Sequence, residues 1–515
     1  MLPPGRAAAT AAFEEADLDP LDESLAPVGA GAADTSVGPR LPVPMHPTEP
    51  QVPTLDHTPK WRLIVLIFLP FAAGYYLSYL FRTINALISS QLTSDLALSP
   101  AQLGLVTSAY FLTLAALQVP IGVWLDRYGP RRVQSVLMLV AAAGAALFGT
   151  ADGFWTLVLA RLLIGFGVAA ALMAGLKAIV LWFPKERVAL ANGCMVMLGA
   201  LGAVTATAPA ELLLHWTGWR GMFELLAAAT AASAGLVYFV VPERAVTALA
   251  QPGSASVNLK AIYTDPRFWR LAPLSATCVG TAGALQGLWV APWLADVEGF
   301  ERGGVIRHLF VMAIALSAGA LLMGATADRL RRHGVSSRTI LAVVATIFVA
   351  AELALILRLP LPSYLLWSVV AAVGAAPVLS YSILAEFFPK EATGRANGAL
   401  NVFHHGGAFV LQYAIGLILG QWTGQDGRYP AIAYQIALGL ILSLQIVALA
   451  WFELPRVQAL GSDLVRLLRR RSLRETRSSR RATLSAVTPD DRLVVKRYAA
   501  LSSSPKRYPP QPCPP

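Results

Sequence analysis

Charge is what this 515-residue chain has least of. Asp, Glu, Lys and Arg together make up 14% of it, where ordinary soluble domains carry about 25%. Hydrophobic residues reach 56% and mean hydropathy is +0.56, which excludes a soluble globular domain and implies a polytopic membrane protein. Cysteine is also scarce. Cys194, Cys278 and Cys513 lie far apart and offer neither a metal-ligand spacing nor a disulfide framework. The first 60 residues hold no apolar run that could serve as a signal-peptide core, so the first membrane helix is expected to act as the insertion signal. No Gly-x4-Gly-Lys-Ser/Thr loop is present, which argues against ATP drive, and no cofactor or metal is expected. A net charge of +11 would suggest a nucleic-acid partner in a soluble chain. Here 14 of the 41 Lys and Arg follow Glu453, so lipid or membrane topology accounts for them and no nucleic acid is expected.

Hydrophobic runs then arrive at regular intervals. They predict helices near 62–89, 102–125, 133–151, 154–181, 190–214 and 221–241, and again near 268–294, 304–326, 338–358, 362–386, 395–420 and 430–453. A crossing needs about 20 residues, so twelve fit between residues 61 and 453. Residues 1–60, rich in Ala and Pro with early Asp and Glu, are expected to form a disordered arm. Residues 242–267 read as a linker between halves 61–241 and 268–453. Residues 454–515 form a basic tail, either solvated or lying on anionic lipid. With both termini in the cytoplasm, 33 of the 41 Lys and Arg fall on the cytoplasmic side, which is the bias that orients membrane helices.

Two repeats cut the chain in half. Gly122, Asp126, Arg127, Gly129, Arg131 and Arg132 mark a helix surfacing into a tight charged turn, and Gly324, Asp328 and Arg329, followed by Arg331 and Arg332, repeat it 202 residues later. Phe183-Pro-Lys-Glu recurs as Phe388-Pro-Lys-Glu at an offset of 205. Two matches at nearly one spacing point to homologous halves, as in secondary transporters. The first loop resembles the loop between helices 2 and 3 of the major facilitator superfamily. That resemblance implies an all-α integral membrane fold of twelve transmembrane helices in two pseudo-symmetric six-helix halves. It also implies that Asp126 and Arg127 help latch the halves on the cytoplasmic side, with Gly122 and Gly324 as close-approach positions and Gly129, Arg131, Arg132, Asp328 and Arg329 in the same device.

Polar residues inside helices are costly and mark candidate sites. Arg161, in a stretch resembling the superfamily's Arg-x3-Gly-x-Gly motif, either faces the cavity or snorkels outward. Arg82 and Asn85 on helix 1 resemble the Arg-x2-Asn of the anion:cation symporter branch, where the arginine pairs with a substrate carboxylate. Phe81 stands where that branch has Asp, and an interfacial anchor is the other reading of Arg82. Lys177 reaches the interface or lines the cavity. Asn401, His405 and Gln412 share one face of helix 11 beside His404, and a histidine there either carries a coupled proton or bonds a neighbouring helix. Gln286, Trp289 and Tyr381 are further lining candidates. Helix 1 lacks the Asp or Glu of many drug–proton antiporters, and helix 5 lacks their Gly-Pro signature.

The expectation is therefore a transporter rather than an enzyme, monomeric, multi-pass and set in a bacterial inner membrane. Its cargo would be a small polar metabolite, anionic or carboxylate-bearing, moved by alternating access with H+ or Na+. The alternatives are an efflux antiporter for hydrophobic compounds and a non-transporting sensor of the same fold.

Overall fold

The computed structural model describes residues 60–243, 259–374, 376–422 and 428–455. The predicted N-terminal arm, most of the linker and the basic tail from residue 456 lie outside these described residues. Helices are the only extended elements among them. Ten are long and apolar enough to cross a membrane, and two further crossings emerge from the backbone.

Helix α1 spans Trp61–Leu96. The next helix, Pro100–Gly149, starts from a capping box in which Ser99 and Gln102 satisfy each other's backbone amides. Its 50 residues hold two crossings, because Gly129 breaks it with φ 78° and ψ 160°. That conformation is essentially reserved for glycine. We therefore number 100–128 as α2 and 130–149 as α3. The packing of α4 (Phe154–Trp182) confirms the hairpin. A Cβ on Gly165 would lie 2.5 Å from the Tyr110 carbonyl oxygen, and one on Gly167 would lie 2.4 Å from that of Leu137. On an unbroken helix residues 110 and 137 would be about 40 Å apart, yet both meet α4 within two residues. Gly165 and Gly167 are packing residues, as their small size suggests.

Helix α5 is Lys185–Thr205 and α6 is Ala208–Val240. The predicted helix over 190–214 is thus interrupted at residues 206–207, where Pro209 follows closely, and α6 bends at Gly218 (φ 64°). Pro266–Asp296 forms α7, with a π-helical turn at Leu285–Trp289. Arg302–Arg332 and Ser337–Ile356 form α8 and α9. The segment predicted as helix 10 is split into Ser363–Val373 and Pro377–Phe387; Pro377 has no amide hydrogen to carry the helical ladder across the join. We number both pieces α10. Lys390–Leu419 is α11 and Ala431–Pro455 is α12. Counted in this way, the described residues hold twelve candidate crossings, six before residues 244–258 and six after them.

The two charged repeats differ in one physical respect. In the first, glycine three residues after Asp126 turns the chain. In the second, Arg331 occupies that position, the helix runs on to Arg332, and the turn waits for Gly334 at φ 83°. There Val335 N–H bonds the Leu330 carbonyl at 3.1 Å and Gly334 N–H that of Arg331 at 2.9 Å, closing the helix end.

Glycine contacts also show how the halves meet. At the end away from the arginine-rich loops, a Cβ on Gly416 of α11 would fall 2.5 Å from the Pro100 carbonyl oxygen of α2, and one on Gly104 would fall 3.2 Å from that of Gln412. This seam is closed backbone to backbone. At the arginine-rich end, a Cβ on Gly122, Gly193, Gly324, Gly394 or Gly398 would meet nothing within 4 Å. The halves are joined at one end and stand apart at the other.

Candidate functional site

Between the halves lies a cavity of about 220 Å³ lined from α1, α2, α4, α5, α7, α8, α10 and α11. Arg82 is the one charged side chain among its lining residues. Its guanidinium carbon sits 5.5 Å from the Tyr79 ring centroid and 5.3 Å from that of Phe111. A Cβ on Gly283 of α7 would touch an Arg82 terminal nitrogen at 3.1 Å, so the side chain reaches across to the opposite half. No ion pair engages Arg82 among the described residues. Aromatic faces support the cation without neutralising it, which leaves its donors free for an incoming anion.

Facing Arg82 is a chain of polar groups on α7, α10 and α11. Tyr381 donates its hydroxyl to Asn401 Oδ1 at 2.5 Å, and His404 Nδ1 lies 3.2 Å from the same oxygen. His404 Nε2 is 2.7 Å from Ser275 Oγ, which is 2.7 Å from Ser380 Oγ. His405 lines the cavity beside Phe111, their ring centroids 6.4 Å apart. Of the candidates read from the sequence, the structure thus brings together Arg82, Tyr381, Asn401, His404 and His405.

It places the other candidates elsewhere. Arg161 neither lines the cavity nor snorkels; it is 0% exposed inside the first half. There it donates to the Phe81 carbonyl at 3.1 Å and to Asn85 Oδ1, and lies 4.5 Å from the Phe148 ring centroid and 5.2 Å from that of Phe223. Asn85 is consequently turned away from the cavity, as the acceptor for that buried guanidinium. Lys177 is likewise outside the cavity, bonding the Leu125 carbonyl at 2.8 Å and Asp126 at 2.5 Å. Gln412 is wholly buried in the closed seam and donates to Thr107 across the halves at 2.6 Å. Trp289 packs in the same seam and donates to the Gln412 carbonyl at 2.8 Å. Gln286 donates to the Ala371 carbonyl at 3.0 Å, beside a small void rather than in the cavity.

Among the described residues, the ion pairs and hydrogen bonds of the expected latch stay within each half in this conformation. Asp126 pairs with Lys177 of its own half and is 82% exposed. Arg131 donates to the Tyr238 carbonyl at 2.8 Å and lies 3.6 Å from Glu243, to which Arg132 also pairs. Arg127 sits 5.3 Å from the Tyr128 ring centroid. In the second copy Asp328 pairs with Arg331 within its own helix, and the Arg329 carbonyl meets His333. Gly122 and Gly324 approach no second helix. Arg302 instead ties the closed end, with two 2.6 Å bonds to Glu211 of the other half.

Sequence reasoning missed Tyr75, Tyr79 and Tyr110 in the lining, Phe111 against Arg82 and His405, and Ser275 in the polar chain. Tyr75, Tyr79 and Arg82 recur at i, i+4 and i+7, one helix face, and that spacing would have found the two tyrosines. Ser275 carries no such signal.

Crossing-length helices around a polar cavity, closed at one end and open at the other, make this a membrane transport protein. It belongs to the Major Facilitator Superfamily, whose sequence profile matches residues 71–412. Among curated proteins it is 24% identical over 416 residues to the "Probable sulfoacetate transporter SauU" of Cupriavidus necator, covering 75% of this chain and 94% of that one. It is 26% identical over 308 residues to the "Probable L-galactonate transporter" of Escherichia coli, covering 56% and 67%. Among solved structures, a bacterial homologue of the human lysosomal transporter Spinster, inward-facing and unoccupied, superposes with a TM-score of 0.61 at 19% identity, covering 77% of this chain and 97% of that one. At that identity the likeness concerns the fold.

Proposed function

We propose that this protein moves a small anionic, carboxylate- or sulfonate-bearing metabolite across a bacterial inner membrane by ion-coupled alternating access. The observation that carries the reading is Arg82, the lone charge of the cavity lining, held on aromatic faces and without a carboxylate partner among the described residues. A site of this kind disfavours cationic cargo by Coulomb repulsion and offers forked donors to a planar anion. The similarity to transporters named for sulfoacetate and L-galactonate, both anions, supports the same class. The arginine-rich loops belong on the cytoplasmic side, so the conformation described is inward-open and both termini are cytoplasmic.

The test is binding of sulfoacetate, L-galactonate and D-glucuronate to purified protein, with neutral sugars and a quaternary amine as controls. Arg82→Lys keeps the charge and loses the fork, whereas Arg82→Ala loses both. A charge-assisted hydrogen bond contributes about 1.5–3 kcal/mol, so the Ala variant should bind at least about tenfold more weakly and Lys should lie between. Near wild-type affinity in folded Arg82→Ala would overturn the anion reading.

A further inference from the structure

Ion-coupled transport, as proposed above, needs a second ligand, and the cavity restricts what that ligand is. No carboxylate is among the lining residues, and the one charge there is positive. A hard cation such as Na+ requires several oxygen ligands, usually with carboxylates among them, so this cavity is poorly built for one. The lining side chains able to take up a proton and become cationic are His404 and His405. Their surroundings differ. Among the described residues His405 is recorded in a ring contact with Phe111, whereas both nitrogens of His404 are engaged.

The bonding fixes the ring's neutral form. Asn401 Oδ1 is an acceptor and already receives the Tyr381 hydroxyl, so the His404 Nδ1 facing it carries the hydrogen. Nε2 is then the free acceptor and receives the hydroxyl of Ser275. With its one hydrogen on Nε2, Ser275 accepts the hydroxyl hydrogen of its second partner, Ser380, whose Oγ is 2.7 Å away. We propose that His404 carries the coupling proton and that Ser275 and Ser380 accommodate it by rotating their hydroxyls. One N–H bond forms at Nε2 with a proton from cavity water, and the ring gains one positive charge. Ser380 first turns its own O–H away from Ser275; Ser275 then turns its O–H from Nε2 to Ser380 Oγ and accepts the new N–H. No heavy atom needs to move.

Arg82 couples this proton to the cargo, and here the proposal rests on the anion reading above. The other titratable groups of the lining are Tyr75 and Tyr79 on α1, Tyr110 on α2, Tyr381 on α10 and His405 on α11; α4, α5 and α8 contribute none. Arg82 is thus the one fixed charge facing His404 in the cavity. Two cations lining one cavity repel, and an anion seated on Arg82 offsets that repulsion. Anion and proton therefore favour each other's binding, reciprocally, and travel together as symport.

The experiment uses purified full-length protein in weak buffer with a pH-indicating dye, adding sodium D-glucuronate or sodium L-galactonate. 15N-histidine NMR of the ligand-free protein is recorded beside it. Anion addition should take up close to one proton per protein, and apparent affinity should rise about tenfold per pH unit on acidification over the range where His404 is neutral without anion. His404→Gln should bind with pH-independent affinity and take up no proton. Ser380→Ala, a milder change, should keep neutral-state binding and weaken proton uptake about tenfold. If His404→Gln does not fold, Ser380→Ala and the NMR titration decide. Anion binding without proton uptake, or full coupling in His404→Gln, would overturn the proposal, as would an NMR signature of His404 with hydrogen on Nε2 alone. If neither anion binds at any pH, it is the Arg82 reading that fails, and the ligand-free titration still decides the role of His404.

Discussion

The sharpest mechanical test concerns Gly416. Alanine there would place a methyl 2.5 Å from the Pro100 carbonyl oxygen and 3.2 Å from Trp289 Cζ2. The nearer obstacle is backbone, so it cannot swing aside. Overpacking of this kind costs about 1–3 kcal/mol, and the cost falls only on the conformation in which α2 and α11 meet at the outer seam. Alanine also improves the helix by up to about 1 kcal/mol, but α11 is a helix in either conformation, so that gain cancels between them. Gly416→Ala should therefore shift the equilibrium towards the outward-open form by about 5- to 150-fold. Gly104→Ala, whose nearest contact is 3.2 Å, should shift it less in the same direction. Gly122→Leu should act with the opposite sign, since open space surrounds Gly122 here and only closure of the inner end would crowd it. Spin labels at Leu190 on α5 and Leu322 on α8, both exposed near the arginine-rich end of their respective halves, report inner closure as a shortened distance. An unchanged distribution in Gly416→Ala, or a shift to longer distances, would refute the reasoning.

Two further outcomes are expected. Gly129→Ala forces a Cβ into a conformation near φ 78° and ψ 160°, costing about 1–3 kcal/mol; thermal unfolding in detergent should show the loss, and a wild-type midpoint would mean that the turn has an easy alternative. Arg161→Met leaves Asn85 Oδ1 and the Phe81 carbonyl without their donor, which should destabilise the first half by about 1–3 kcal/mol while changing anion affinity less than tenfold. Lost affinity at unchanged stability would restore Arg161 to the site.

Much of the architecture was legible because hydropathy and charge repeat along the chain. Twelve apolar runs, the Gly129 turn and the two duplicated loops follow from residue type and spacing alone. The side chains were harder for a definite reason. Arg82 and Arg161 are both arginines within apolar helices, and periodicity does not tell which neighbour a helix face meets. One turned to the cavity and the other to Asn85 and two phenylalanines. Gln412 shares a helix face with Asn401 and His405, but lies two turns nearer the closed end, where that face meets α2 instead of open space. The recorded ion pairs of the latch residues lie within their own halves in this conformation. A motif carries no mark of the state in which it acts.

The pairing of Glu243 with Arg131 and Arg132 sets the length of the leash between the halves. It pins the departing chain to the loop between α2 and α3, at the arginine-rich end of the first half. Fifteen residues, 244–258, then lead to Leu259 at the start of the second half. A chain of that length reaches at most about 50 Å. If the outer seam parted altogether, the second half would still be confined to a small volume around the first, at an effective concentration of order millimolar. Reassociation would then be intramolecular and independent of protein abundance. Expressed as two separate polypeptides, the halves would lose that advantage and depend on the contacts of the closed end, the glycine seam and the Arg302–Glu211 pair among them, to find each other.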